Sequence, residues 1–186
     1  MTTTGWVILV VAVVVVIILG FIAWRNSRTK NLRSRFGPEY DHMVQERGSA
    51  SRAEKELEYR AKRVEKFQLR PLSKEERGEF GAAWRNAQQR FVDDPRGAVA
   101  EADHLVQAAM RARGYPTGGD FEERVADLSV DHATVVDNYR AAHEIAIRDS
   151  RGQVSTEDLR AAMKHYRALF EDLLDERVVE YQEVRR

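Results

Sequence analysis

His143 is the side chain whose setting in the sequence comes nearest to chemistry. It falls inside an apolar helical stripe, Val135, Val136, Tyr139, Ala142, His143 and Ala146, one turn from a phenol. A half-buried imidazole beside a tyrosine has the proton affinity for general acid or base work near neutral pH. The same placement suits a core histidine whose ring nitrogens are both hydrogen-bonded. Glu101-Ala102-Asp103-His104 has the E-x-x-H spacing of di-iron bundles, in which two such motifs join two further glutamates. On a helical wheel, however, His104 falls nearly opposite the Ala98, Ala102, Leu105 and Ala109 face and should be solvated. Asp131-His132 sits at an expected helix start, where the aspartate reads as a cap. Gly118-Gly119 lacks both a preceding strand and a following Lys-Ser/Thr, so it is a loop rather than a phosphate cradle. Neither G-x-S-x-G nor H-E-x-x-H occurs. The absence of cysteine excludes thiolate metal sites, cysteine nucleophiles and disulfides. No motif implies a metal or a cofactor.

The elements that must position these residues begin with an anchor. Residues 5–24, GWVILVVAVVVVIILGFIAW, contain no charged side chain and would make a helix about 30 Å long, the thickness of a bilayer's hydrocarbon core. Val and Ile form helices poorly in water, but in lipid every backbone polar group must be satisfied internally, which enforces a helix. Trp6 and Trp24 frame the run at the two headgroup levels. A cleaved signal peptide would need a basic start, a shorter apolar run and small residues before the cut, and none is present. Residues 1–4 are an uncharged flank. Residues 25–35 carry Arg25, Arg28, Lys30, Arg33 and Arg35 with no acid among them. By the positive-inside rule the chain should cross the inner (plasma) membrane once, with its N-terminus outside and its body cytoplasmic, these cations anchoring at the headgroups.

Charge is asymmetric behind a net of zero. With five of the 30 basic residues spent before Phe36 and no acid there, residues 36–186 hold 25 basic against 30 acidic side chains, a net of −5. A nucleic-acid module would show the opposite balance. The expected partners are the lipid bilayer and a protein.

Beyond the anchor the periodicity is helical throughout, predicting an all-α chain: one transmembrane helix, a charged helical segment and a helical bundle. Residues 36–70 read as a stalk or as packed helices, with Pro38 in a first turn, Ser49 or Ser51 as a cap, and a thin stripe of Ala50, Ala53, Leu57, Ala61 and Val64. Residues 71–175 read as the helical bundle domain, and residues 72–175, which carry the heavy stripes, should form a bundle without the anchor. Its expected start signals are the Ser73/Glu76 capping box, Asp94-Pro95, Asp120, Asp131, and Ser155 with Asp158. Residues 176–186 read as the charged end of the last helix.

Five short segments, FGPEYD (36–41), FVDDP (91–95), RARGYP (111–116), Asp131-His132 and HYRALF (165–170), resemble those of a family of uncharacterised bacterial proteins, membrane-anchored or secreted and helical. The likeness covers most of residues 33 to 175. It implies a bacterial source and a shared helical domain, and no catalytic residues. Two functions of different class follow. One is a membrane-anchored interaction or scaffold module. The other is a small membrane-associated hydrolase or metal-dependent enzyme using His143. Several titratable groups converging in a pocket would mark the enzyme, and an exposed groove or patch the module.

Overall fold

The computed structural model describes residues 3–175, and of the side chains in residues 3–10 only that of Trp6. Residues 176–186, expected to end the last helix, lie outside the described residues. Eight α-helices and no strand are present among the described residues: α1 (Thr3–Phe36), α2 (Pro38–Arg47), α3 (Ala50–Val64), α4 (Lys74–Arg90), α5 (Pro95–Arg113), α6 (Phe121–Leu128), α7 (Val136–Ser150) and α8 (Thr156–Leu174). The all-α reading of the sequence is what the structure shows.

Most helix starts follow from local chemistry. Ser73 accepts from the Glu76 backbone N–H while the Glu76 side chain accepts from that of Ser73, and Ser155 and Asp158 repeat the arrangement. Asp94 and Asp120 accept from the third residue beyond them. Asp131 departs from expectation. It caps no helix, because α7 begins five residues later at Val136, behind a turn and without a side-chain cap.

α1 is one unbroken helix of 34 residues, about 51 Å long and so well beyond a hydrocarbon core. It is long and apolar enough to cross a membrane, and no part of its most apolar described stretch is covered by the rest of the chain. Its last turns belong to the body. Leu32 and Phe36 are buried, Thr29 donates to Glu54 at 2.7 Å, and Arg28 is ion-paired to Glu58. Gly37, at φ 46°, makes the one-residue break into α2. Glycine alone takes that conformation without strain.

One core runs from Leu32 to Leu173. α5 and α8 form its centre, with α4 laid on α5 and α7 on α8. Trp84 of α4 stacks on Phe170 of α8 at 4.7 Å between centroids. α2 and α3 contribute Tyr40, Met43, Ala53, Leu57, Ala61 and Val64 to the same core, so residues 36–64 are packed helices. Charge fixes them there. The Glu39 carboxylate is fully buried, accepting from Arg60 of α3 at 2.9 Å and twice from Arg140 of α7 at 2.8 Å. Arg63 of α3 reaches Asp127 of α6 at 2.9 Å.

Candidate functional site

His143 lies at the edge of its helix's buried face. The residues of α7 that enter the core are Val136, Tyr139, Ala142 and Ile145, a stripe turned slightly from the one expected, and His143 is left half-exposed. Its ring stacks on Phe121, at the start of α6, with centroids 3.6 Å apart and planes within 12°. Among the described residues it makes no hydrogen bond, so neither the phenol partnership nor the hydrogen-bonded core histidine is found. The Tyr139 hydroxyl accepts instead from Arg124 at 3.3 Å, while its ring packs on Phe121 and Tyr166. Burial lowers the His143 pKa from its ordinary value and Arg124 lowers it further, against opposing pulls from Asp103 and Glu122. The imidazole is therefore held toward its neutral form.

A cleft of about 610 Å³ opens over this stack, between α2, the start of α6 and α7. Phe121, His143 and Ile147 supply its apolar side, and His42, Glu46, Glu122 and Glu144 line it with polar groups. Arg140 also borders it, but its charge is taken up by Glu39 and by Asp137 at 2.6 Å. Glu46 lies 3.9 Å from Arg47, while among the described residues neither Glu122 nor Glu144 is ion-paired. The cleft is thus acidic around an aromatic floor.

The other sequence candidates disperse. His104 is exposed, as its wheel position requires. The E-x-x-H spacing recurs at Glu39-Tyr40-Asp41-His42, but Glu39 is sunk between two guanidinium groups and His42 is exposed on α2. Among the described residues no group of three His, Asp or Glu side chains could hold a metal ion. Trp6 and Trp24 are exposed on α1. Of the five cations, Arg25, Lys30 and Arg33 are exposed, Arg33 lying 3.5 Å from the exposed Asp41, whereas Arg28 pairs with Glu58 and Arg35 approaches Asp131 at 4.0 Å. These last two are turned toward the body.

Sequence reasoning also missed a polar cluster at the far end of α5 and α8. His132, fully buried, faces Asp172 across 2.5 Å, and the Tyr115 hydroxyl donates to Asp131 at 3.1 Å. Arg113 is buried and donates to the Leu173 carbonyl at 2.6 Å and that of Asp175 at 3.2 Å, covering the C-terminal end of α8. Burial lowers the Arg113 pKa and raises that of Tyr115 well above its ordinary range. The FGPEYD segment is likewise structural throughout: Phe36 and Tyr40 in the core, Gly37 at the break, Pro38 in the first turn, Glu39 in its clamp and Asp41 on Arg33. No known protein family, curated protein or solved structure matches the chain. What fold and site define is a class: an all-α body into whose core runs the end of one helix long and apolar enough to cross a membrane, carrying an open, acidic cleft beside an aromatic stack.

Proposed function

We propose that this protein is a membrane-anchored interaction module, crossing the inner membrane once with its body in the cytoplasm, and that the cleft between α2, α6 and α7 receives a basic, apolar-flanked segment of a protein partner. The observation that carries this reading is the combination in one cleft of a Phe121/His143 stack, the exposed Ile147 and two carboxylates, Glu122 and Glu144, without cationic partners among the described residues. Unpaired carboxylates beside the apolar edge of the Phe121/His143 stack and Ile147 suit an arginine or lysine side chain with apolar neighbours. A neutral His143 adds no repulsion. The topology rests on the positive flank that follows the apolar run.

His42, Glu46, Glu122 and Glu144 share the cleft with His143, but among the described residues the imidazole is hydrogen-bonded to none of them and stacks on Phe121 instead, which favours the module over an enzyme that uses His143 as acid or base. The discriminating variant is His143→Phe, which keeps a ring on Phe121 and removes the titratable nitrogens. Complementation of cells lacking the protein, measured beside thermal unfolding, should show function and melting temperature retained for His143→Phe. The double variant Glu122→Lys/Glu144→Lys should lose function while still folding. If His143→Phe abolishes function at an unchanged melting temperature, the module reading gives way to the enzyme.

A further inference from the structure

α3 carries a second exposed face that neither the cleft nor the core accounts for. Lys55, Tyr59, Lys62 and Lys66 follow one another at spacings of four, three and four, so they stand on one line along the helix and its final turn. They lie opposite Ala53, Leu57 and Val64, which enter the core. All four are exposed, Tyr59 at 63%, and among the described residues none of the three lysines is ion-paired. Arg52 is exposed beside them. Outside α1, the only large hydrophobic side chains exposed to this degree among the described residues are Tyr59 and Val92. A tyrosine ringed by unpaired lysines is the side-chain set that favours a headgroup layer, with an apolar ring, a polar hydroxyl and long cationic stems.

Its position agrees with its chemistry. The face adjoins the edge of α3 where Glu54 and Glu58 grip Thr29 and Arg28. Trp24, the residue that ends the apolar run, lines a single cleft with Arg28, Leu32 and Glu58. Arg28 lies only four residues, about 6 Å, past Trp24 along α1. The middle of α3 is therefore held within a side chain's length of the level at which α1 would leave the hydrocarbon. Arg25, at the heptad position before Leu32, lies on the same side of α1 as the body and a turn closer to the membrane.

We propose that the outer face of α3 is a second membrane contact, on which Lys55, Lys62 and Lys66 bind anionic lipid headgroups around Tyr59, so that the body lies on the leaflet and does not hang free from α1. This rests on the anchor reading of α1 and extends it. It sets the body's orientation on the leaflet. Three lysines of ordinary juxtamembrane strength favour the docked state by on the order of a hundredfold, and salt should loosen it.

The absence of cysteine makes the test direct. Full-length protein with Tyr59→Cys, or with Val92→Cys as reference, is spin-labelled and placed in bilayers of phosphatidylcholine alone or mixed with phosphatidylglycerol. Collision with a water-soluble nickel chelate is then measured. At position 59 it should fall several-fold in the anionic bilayer and recover on adding Lys55→Glu, Lys62→Glu and Lys66→Glu. At position 92 it should be high in both. Flotation of the vesicles separates the two layers of the argument. A chain that floats with the lipid but leaves position 59 as water-exposed as position 92 overturns the docking alone, and leaves the stripe as a surface for an acidic macromolecule. A chain that fails to float overturns the anchor and the docking together.

Discussion

At the scale of single residues, charge buried with its partners does more here than any titratable group facing solvent. Glu39 is the extreme case. Its carboxylate is fully buried and its hydrogen bonds join three helices, α2, α3 and α7, through Arg60 and Arg140. Breaking such a pair from one side leaves the other charges desolvated and uncompensated. Glu39→Gln keeps the volume and removes the charge between two guanidinium groups. It should cost about 3 to 5 kcal/mol, read as a lowered denaturant midpoint. A loss under about 1 kcal/mol would mean that water already screens the clamp. Nothing in the spacing of the sequence marks Glu39 for this role, because its α7 partner is 101 residues away.

At the scale of elements, the helix ends were legible and one of them also controls packing. Gly114 closes α5 with φ 96°, as its place after Arg113 predicts. The reason for glycine is partly tertiary, since a Cβ there would stand 2.4 Å from the Gln68 carbonyl oxygen. Arg70 donates its backbone N–H to the Arg113 carbonyl at 3.0 Å, so the linker before α4 is seated on this turn. Gly114→Ala should therefore destabilise by well over about 1 kcal/mol, combining a forbidden φ with a backbone clash. Gly78, inside α4, has open space around its Cβ position. There, Gly78→Ala should stabilise by about 0.4 to 1 kcal/mol. Thermal unfolding of both variants reads the opposite signs, and a stabilised Gly114→Ala protein would contradict the packing described.

At the scale of the whole molecule, the body has one core and α1 is built into it. The heavy stripes of residues 71–175 suggest a bundle able to fold alone, but Val125, Leu128 and Val136 share that core with Phe36, Tyr40, Met43 and Leu57. Cutting at residue 72 would expose this seam and leave Arg140 and Asp127 without their partners Glu39 and Arg63. A fragment of residues 25–175 should unfold in one cooperative transition. A fragment of residues 72–175 should melt at least 10 °C lower, at roughly 4 °C or more per kcal/mol for a domain of this size, or lose its cooperativity. Equal melting temperatures by calorimetry would show that α2 and α3 add nothing to the core.

What the sequence determined by itself was everything governed by neighbours within a few residues. Hydrophobic period, caps, prolines and glycines act over one or two turns, and they suffice for the eight helices, the apolar length of α1, and the stripes of α5 and α8. Asp131 was misread for the same reason. A local rule saw a cap where a distant Tyr115 and Arg35 had taken the carboxylate. Only the tertiary structure decided which faces meet: that α2 returns to α7 through Glu39, that Phe121 slides under His143, and that Arg28 and Arg35 turn to acids of the body. Such contacts are set by the packing of whole helices and by loop closure over tens of residues, and a chain read in order carries no periodic trace of either.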